Sequence, residues 1–424
     1  MSPKKWLRQA SLYVHWPYCE KRCTYCNFNK YISKQVDHEQ MKRCLGKEIQ
    51  SLIYLSGIKE ITSIFFGGGT PSLAEPSTLG HVIETVAKEA TLADSAEITM
   101  EANPTSVEAT KLREFKAAGI NRLSLGIQAL NDRDLKILGR EHTVQEALSC
   151  LSKAKSLFPG KTSLDLIFGR PFQTLELWQD ELHKTANLLA DGHVSLYQLT
   201  LERGTALFKS VQNGELTVPD TDVTAEMYEM AVQTLKKSGL KRYEASNFAR
   251  NASAESSHNK SYWEGSQYIG VGPGAHGRFI VQSEGGTARE ARIQTLEPKY
   301  WMWEVEKRGH ATRKAVEQTR QEVMEEILML GMRTKSGVPN KRWLRFSDDV
   351  PLAKIFGGHP MLSDFIQFGL LEFSPERLVA TERGLNLIDS LMPTIINILH
   401  DYNWKSPRKE LSDCMDSKEK IDTG

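Results

Sequence analysis

Three closely spaced cysteines near the N-terminus constrain this chain more than any other feature. Residues 19–26 read Cys-Glu-Lys-Arg-Cys-Thr-Tyr-Cys, so Cys19, Cys23 and Cys26 follow a CxxxCxxC spacing on one short segment. Three thiolates on one loop can each bind one iron of a 4Fe–4S cubane. Because no fourth cysteine follows at a comparable spacing, the fourth iron would keep an open coordination position. An open position distinguishes a reactive metal site from a closed structural one, as it does for zinc.

A structural zinc site is the alternative interpretation of the same loop. It would need a histidine such as His15 or His38 as its fourth ligand. Zinc loops usually carry CxxC pairs, and a second pair is absent from this sequence. The remaining cysteines, Cys44, Cys150 and Cys414, are scattered, and we expect them to be incidental reduced thiols. The spacing therefore favours the iron–sulfur cluster.

Length, charge and hydropathy exclude several classes of protein. A chain of 424 residues predicts two or three domains, and a net charge of +1 provides no global basic field for nucleic acid or anionic lipid. The sequence contains no apolar run as long as a membrane span, so we expect no integral membrane segment. Residues 1–11 hold Lys4, Lys5 and Arg8 without an acid, as the stub of an organellar presequence would. This predicts a mitochondrial location, with the cytoplasm as the alternative.

Strand-like runs alternate with helical patterns up to about residue 200, which predicts an α/β fold with six parallel strands and right-handed crossovers. Such a sheet forms either a partial barrel or a doubly wound fold. Gly67–Thr70 follow the second strand, Glu101 the third and Gln128 the fourth, while Asp165 lies within the fifth. Because the C-terminal strand ends form the ligand face of such folds, these positions favour a partial parallel (β/α)6 barrel. The predicted strands are 11–15, 61–66, 96–100, 121–125, 162–168 and 194–199, and the predicted helices are 37–56, 77–90, 106–118, 143–157 and 174–190.

The pattern changes twice after the predicted barrel. We expect a core domain over residues 1–242 and an ordered connecting segment, rich in Gly, Ser and aromatic residues, over 243–310. Helical stripes followed by a short hairpin predict a small winged-helix-like domain over 311–392. Residues 393–424 are predicted to complete a helix and then form a disordered tail.

Several motifs occur in order along the chain, and together they resemble the radical S-adenosylmethionine superfamily. The likeness covers nearly all of the chain, from about residue 11 to 390, and the later motifs narrow it to the oxygen-independent coproporphyrinogen III oxidase-like group. The motifs are the CxxxCxxC loop, Gly67-Gly68-Gly69-Thr70-Pro71, Glu101-Ala102-Asn103-Pro104, Gly126-Ile127-Gln128, Asp165 and Gly270-Val271-Gly272-Pro273-Gly274-Ala275-His276.

The resemblance implies that S-adenosylmethionine chelates the open iron of the cluster and can be cleaved there to an adenosyl radical. It also implies that the backbone of glycines 67–69 approaches the methionine portion of this cofactor and donates N–H groups to it. A tight strand-to-helix turn is the simpler explanation of the same glycines. Tyr13 matches a cofactor contact of the family, although an aromatic residue in a strand is as often part of a core. Glu101 offers a carboxylate for the ammonium or ribose hydroxyls.

A second S-adenosylmethionine position is also implied by the family. Its lining would comprise Gly69 and Thr70 together with Gln128, Arg140 and Asp165. Arg140 provides a fork suited to a carboxylate, and Asp165 provides an acceptor for hydroxyl or ammonium groups. An arginine in such a sequence can equally be a solvated residue at a helix end.

One departure from the oxidases separates two branches of the group. The oxidases have a further cysteine two residues after the third cluster cysteine, where this chain has Phe28, and a longer N-terminal extension. Both features, and the HNxxYW motif formed by His258–Trp263, resemble the heme chaperone branch instead. His258 would then be an axial ligand of heme, with Tyr262 and Trp263 stacked on the macrocycle. A structural His-Asn turn with core aromatics is the alternative.

The sequence therefore predicts a heme chaperone that binds heme and passes it to acceptor hemoproteins. Oxygen-independent coproporphyrinogen III oxidase is the alternative, and no catalytic residue is assigned. A nucleic-acid enzyme or binder is a third possibility, weakened by the small size of its basic cluster. A homodimer is compatible with the sequence. The basic cluster consists of Arg333, Lys335, Lys341, Arg342 and Arg345, with Asp348 and Asp349 beside it.

Overall fold

The structure, a computed structural model, describes residues 5–105, 108–189, 192–283, 286–402 and 404. Lys4, Cys414 and the predicted disordered tail beyond residue 404 lie outside the described residues.

The strands of the described chain occur in three sheets, with the order β14-β13-β12-β11-β1-β4-β5-β6-β7-β8-β10-β9 in the largest one. Their bounds are β1 (Gln9–Trp16), β2 (Tyr18–Cys19), β3 (Tyr31–Ile32), β4 (Glu60–Gly68), β5 (Thr91–Ala102), β6 (Arg122–Gln128), β7 (Thr162–Phe168), β8 (His193–Gln198), β9 (Lys241–Glu244), β10 (Asn247–Ala249), β11 (Tyr268–Val271), β12 (His276–Ser283), β13 (Gly286–Gln294), β14 (Thr312–Glu317), β15 (Val338–Pro339), β16 (Leu371–Ser374) and β17 (Arg377–Ala380).

The helices begin and end at well-formed caps in several places: Asp37 caps the first of them, and Thr143 and Glu146 form a capping box. Among the described helices, none combines the length and hydropathy that crossing a bilayer requires. The bounds are α1 (His38–Ser56), α2 (Pro76–Glu89), α3 (Glu108–Ala117), α4 (Asp132–Ile137), α5 (Val144–Leu157), α6 (Leu175–Leu188), α7 (Ala206–Gln212), α8 (Thr221–Lys237), α9 (Ser257–Trp263), α10 (Pro298–Arg308), α11 (Arg320–Gly331), α12 (Asn340–Trp343), α13 (Leu352–Phe356), α14 (Pro360–Gln367), α15 (Glu382–Asn386) and α16 (Ile388–Asp401).

Six neighbouring strands, β1, β4, β5, β6, β7 and β8, pair in parallel and form the predicted partial barrel. Along β4, Ile64 and Phe66 belong to the apolar core, whereas Ser63 and Phe65 contact His258 inside the barrel. This alternation follows from the two-residue period of a strand. The fold class predicted from the sequence is therefore confirmed.

The predicted connecting segment, residues 243–310, contributes strands to the main sheet. β11 pairs in parallel with β1, and β12 and β13 continue the sheet as antiparallel neighbours. β14, which begins just after the segment, pairs with β13 at the edge. On the other edge, β10 pairs with β8 and β9. Residues 242–248 were expected to form a short strand, whereas β11 to β14, which interleave glycine, polar and apolar residues, were not predicted.

Residues from α11 onward form a second apolar core. The antiparallel strands β15, β17 and β16 pack with helices α11–α16 around the buried side chains Met324, Leu328, Trp343 and Phe356. Helices and a short hairpin are thus present where the winged-helix-like domain is predicted. That domain name and its boundaries remain predictions.

The interior of the barrel is polar at its N-terminal end. Arg122, only 1% exposed, donates to Ser163 Oγ at 2.8 Å and to the Ala254 carbonyl at 2.9 Å, and pairs with Glu97 at 3.5 Å. The backbone N–H of His258, in α9, donates to the Glu97 carboxylate at 3.1 Å. Helix α9 therefore closes the floor of the barrel and leaves the opposite end open.

Candidate cofactor site

A cavity of about 410 Å³ lies at the C-terminal ends of the parallel strands. Glycines at the end of β4 and polar side chains at or beside the ends of β5, β6 and β7 meet the cysteine loop there. A cavity at this end is expected for parallel βα folds. Ten of the predicted site residues line it: Cys19, Cys23, Cys26, Gly68, Gly69, Thr70, Glu101, Gln128, Arg140 and Asp165.

The cysteine loop is held at the mouth of the cavity by hydrogen bonds at both ends. Cys19 ends β2, which pairs with β3. In the middle of the loop, Thr24 donates its N–H to the Leu138 carbonyl at 3.1 Å and its hydroxyl to the Ile137 carbonyl at 2.8 Å. The Lys30 ammonium donates to the Cys26 carbonyl at 2.6 Å. These contacts fix the backbone that carries the three thiols.

A chain of hydrogen bonds joins two cysteines of the loop through the cavity wall. Thr70 Oγ1 donates to Cys19 Sγ at 3.3 Å, and Arg140 Nη1 donates to Cys23 Sγ at 3.3 Å. Asn103 connects them, because its Oδ1 accepts from Arg140 Nη2 at 2.6 Å and its Nδ2 donates to Thr70 Oγ1 at 3.4 Å. Donors and a cation directed at sulfur stabilise thiolates and tune iron–sulfur clusters. The donor set therefore fits a thiolate-bound cluster.

The histidines proposed for a zinc site have other partners. His15 Nε2 contacts the Asn29 carbonyl at 2.8 Å, and its Nδ1 contacts the Tyr13 hydroxyl at 3.3 Å. His38 stacks on Trp16 with ring centroids 5.6 Å apart. Among the described residues, no three His, Cys, Asp or Glu side chains converge as ligands of a single ion would. A cubane takes one thiolate on each of three irons, so the loop suits it better than a single zinc ion.

The glycine run owes its composition to close packing. Gly68 has φ +107°, and a side chain there would lie 2.6 Å from the His15 ring. A Cβ on Gly69 would lie 2.7 Å from the Tyr18 carbonyl oxygen. The Gly68 N–H donates to the Glu101 carboxylate. The Gly69 N–H donates to the Trp16 carbonyl at 2.7 Å, and the Thr70 N–H donates to the Tyr18 carbonyl at 2.9 Å. The N–H groups of Gly68 and Gly69 therefore have acceptors within the protein, and the predicted donation of these two groups to a cofactor is not supported.

Two carboxyl groups face the same cavity. Burial, followed by the charge of Asp165, raises the pKa of Glu101 to about 8. Burial also raises the pKa of Asp165 to about 6, against hydrogen bonds from Ser195 and Ser124 that lower it. The Ser124 hydroxyl lies 3.0 Å from Asp165 Oδ2. Buried carboxyls that can ionise near neutral pH are suited to accept hydrogen bonds from hydroxyls or to pair with a cation.

Gln128 and Arg140 also border the cavity. Gln128 has φ +70°, a left-handed backbone that is strained for a residue with a side chain and is often found at functional sites. The Arg140 guanidinium also donates to the Gly126 carbonyl at 2.9 Å. It is thus a part of the cavity wall, and the alternative of a solvated helix-end residue does not apply.

Tyr13 and His258, the other two predicted site residues, do not line the cavity. Tyr13 lies behind Gly67, where an added Cβ would be 3.1 Å from its ring. His258 is 0% exposed, with Nδ1 2.9 Å from Ser63 Oγ and Nε2 2.8 Å from the Tyr262 hydroxyl. Burial lowers its pKa to about 3. Because both ring nitrogens are occupied inside the barrel floor, this geometry does not support His258 as a heme ligand.

The other aromatic residues of the HNxxYW motif also pack within the protein. The Tyr262 ring makes an edge contact with His258 at 4.8 Å, and Trp263 makes one with Tyr243 at 5.8 Å. The structural alternative, a His-Asn turn with core aromatics, describes this arrangement. Stacking of Tyr262 and Trp263 on a macrocycle is therefore not supported either.

Sequence reasoning gave no role to two residues of the cavity wall. Asn103 bridges Arg140 and Thr70 as described above. Glu108 accepts from the Ser72 hydroxyl and from the Asn103 N–H, the latter at 3.1 Å, and burial raises its pKa. A signal existed for both: Asn103 follows Glu101 at the same strand end, and Thr105 precedes Glu108 with the spacing of a capping box.

Family models match two parts of the chain. Residues 13–184 match the radical SAM superfamily, and residues 318–387 match the HemN C-terminal domain. Among solved structures, coproporphyrinogen III oxidase from Escherichia coli superposes with a TM-score of 0.75 at 22% identity, covering 94% of this chain and 91% of that one. At this identity the likeness shows the fold alone.

Curated relatives extend over most of the chain. Radical S-adenosyl methionine domain-containing protein 1, mitochondrial, from Danio rerio is 50% identical over 388 residues, which are 92% of this chain and 87% of the relative. Heme chaperone HemW from Bacillus subtilis is 35% identical over 377 residues, 88% of this chain and 96% of that protein.

Proposed function

The chain belongs to the radical S-adenosylmethionine superfamily, in the group that contains radical S-adenosyl methionine domain-containing protein 1 and HemW, and we propose that it is a heme chaperone. In this proposal it binds heme and transfers it to acceptor hemoproteins. The observation that carries the proposal is the match to a protein named heme chaperone over 96% of that protein's length. The relatives from Danio rerio, Mus musculus and Bos taurus are named mitochondrial. These names confirm the predicted mitochondrial location.

The proposal includes a 4Fe–4S cluster on Cys19, Cys23 and Cys26 and S-adenosylmethionine beside it. When bound, this pair supplies radical chemistry that belongs to the cofactors, while the protein positions them. Thr70 and Arg140 would donate hydrogen bonds to the cluster sulfurs. Glu101, Gln128 and Asp165 would bind the polar groups of one or two S-adenosylmethionine molecules.

The oxidase alternative is less well supported by the cavity. Phe28 takes the place of the additional cysteine of the oxidases and lies in the cavity wall, where it is 65% exposed. A phenyl ring there provides neither a thiol nor a hydrogen-bond donor for chemistry on a tetrapyrrole.

Two of the five basic residues on which the nucleic-acid alternative depends are paired with carboxylates in the fold. Arg333 pairs with Glu244 at 3.0 Å and with Asp389 at 3.3 Å. Arg342 pairs with Glu264 at 3.6 Å. These pairs offset the charges that phosphate binding would require.

We expect the reconstituted protein to bind one heme and to leave coproporphyrinogen III unchanged. The test is anaerobic reconstitution with iron and sulfide, followed by heme titration and by a coproporphyrinogen assay with S-adenosylmethionine and a reductant on the same preparation. Transfer is then measured by mixing the heme-loaded protein with an apo-hemoprotein, separating the two by size-exclusion chromatography and determining which of them carries heme. Formation of protoporphyrinogen by this preparation would favour the oxidase, and absence of heme binding would refute the chaperone.

Binding of S-adenosylmethionine should depend on pH through Glu101. The pKa of this carboxyl is about 8, so its ionised fraction increases as the pH rises from 6.5 to 8.5. If the carboxylate accepts hydrogen bonds from the cofactor, the ratio of wild-type to Glu101→Gln affinity should increase by roughly tenfold per unit below the pKa. Comparing the two proteins separates this effect from titration of the cofactor itself.

Equilibrium dialysis of the reconstituted proteins measures this ratio, with iron content as the check on cluster assembly. Glu20→Gln is a matched control, because Glu20 is an exposed carboxylate at the rim of the same cavity. Parallel pH profiles for wild type and Glu101→Gln would show that Glu101 does not contact the cofactor.

A further inference from the structure

The inner face of the main sheet continues beyond the barrel. Tyr13 on β1 is paired with Gly270 on β11, and the register Tyr268–Arg278 places Gly270 opposite His276 on β12. His276 is paired with Ile293 on β13, which is paired with Lys314 on β14. Residues paired across neighbouring strands share a face. One row of side chains therefore runs from the barrel interior out to the edge of the sheet.

A second row lies beside it, made by Arg278, Ala291 and Val316. Arg278 is covered, because it pairs with Glu326 of α11 at 3.1 Å. Val316 is 40% exposed, and His276 and Lys314 are also exposed. The open part of this face is called the His276 ledge and consists of His276, Ala291, Ile293, Lys314 and Val316.

The imidazole of His276 is available for a ligand. Its ring nitrogens have no hydrogen-bond partner among the described residues, in contrast to His15, His193 and His258, whose rings are buried and hydrogen-bonded. Its neighbours across the sheet are Gly270 on one side and Ile293 on the other, and partial burial and then the charge of Arg278 lower its pKa. A side chain at Gly270 would collide with the His276 backbone, which covers this buried glycine.

The ledge adjoins the cysteine loop. The Asn29 side chain donates to the Pro273 carbonyl at 2.9 Å and to the Leu296 carbonyl at 3.0 Å, and Gly274 packs against it. Asn29 lies three residues after Cys26. Its partner Pro273 comes three residues before His276, where β12 begins, and its partner Leu296 comes two residues after the end of β13. A ligand on the ledge would therefore lie beside the cofactor site.

We propose that the His276 ledge binds heme, with His276 as the axial ligand of the iron. The proposal rests on the proposed chaperone function and gives the heme a site. A porphyrin is flat and apolar in its centre and carries two carboxylates at one edge. The ledge matches it with an imidazole for the iron, apolar side chains for the macrocycle and Lys314 at the rim for a propionate. An edge position leaves the second face of the heme open for transfer to an acceptor.

The test is titration of the full-length reconstituted protein with hemin and with metal-free protoporphyrin IX. His276→Ala should weaken hemin binding at least about tenfold and remove the spectrum of histidine-ligated iron, with little change for the metal-free porphyrin. Val316→Glu should weaken both probes, because it places a carboxylate on the apolar surface. Ala315→Glu is its matched control, since Ala315 is an exposed neighbour on the opposite face of the same edge strand.

Each outcome supports or overturns the proposal. His183→Ala, an exposed histidine on α6, should leave hemin binding unchanged; an equal loss there would mean adventitious coordination. Wild-type binding that persists unchanged in His276→Ala overturns the ledge but not the chaperone function. No binding by the wild type overturns both. If Val316→Glu dissociates an oligomer in light scattering and leaves heme affinity unchanged, the ledge is an interface between copies.

Discussion

Cys23→Ala protein, reconstituted anaerobically with iron and sulfide, is expected to lose most of its iron and its brown absorbance. Cys23 is one of three thiols at the cavity, and no other cysteine of the described chain lines it. A cubane held by two thiolates has two unprotected irons and dissociates readily. The substitution also leaves Arg140 Nη1 without its sulfur acceptor, which is 3.3 Å away in the native protein.

Iron and sulfide analysis, with the visible spectrum, checks this prediction. Cys150→Ala is the matched control, because Cys150 is a buried thiol in α5 that belongs to the apolar core and does not line the cavity. It should retain a full cluster. A complete 4Fe–4S cluster in Cys23→Ala would mean that the cysteine loop is not the cluster site.

Arg122→Met is expected to lower the free energy of unfolding by about 3–5 kcal/mol, the range found when one partner of a buried ion pair is removed. Arg122 bridges β6, β7 and the segment before α9 with its hydrogen bonds to Ser163 and to the Ala254 carbonyl. Its loss leaves Glu97, 4% exposed, with Lys161 at 3.8 Å as its remaining cationic partner among the described residues. The barrel floor should therefore be the first part to open.

Urea unfolding followed by tryptophan fluorescence measures this change, and hydrogen exchange in α9 locates it. Arg113→Met provides the comparison, because Arg113 is exposed on α3 and surface changes usually alter stability by less than about 0.5 kcal/mol. A loss below about 1 kcal/mol in Arg122→Met would show that the buried network contributes little to stability.

Local patterns were sufficient to predict the barrel and most of its ligand face. The alternation of strands and helices depends on residues that are close together in sequence. Parallel pairing of the strands then brings their C-terminal ends together. For this reason Glu101, Gln128 and Asp165, far apart in sequence, were correctly expected to meet. The cysteine spacing is likewise local, and it predicted the composition of the loop that the fold places at the cavity mouth.

Tertiary structure alone decided the direction and accessibility of several side chains. His258 was predicted as a ligand from its motif, yet it is buried under Phe65 and bonded to Ser63. The N–H groups of Gly68 and Gly69 were expected to bind a cofactor, but that of Gly69 donates to Trp16 on β1 and that of Gly68 to Glu101.

The sequence by itself therefore determined the fold class, the cysteine loop and the strand ends that form the cavity. Only the tertiary structure decided that the motif with His258 closes the barrel floor and that His276 lies on an open extension of the sheet. The physical reason is strand pairing: the face that a side chain takes and the groups that cover it depend on partners distant in sequence, such as Gly270 beside His276.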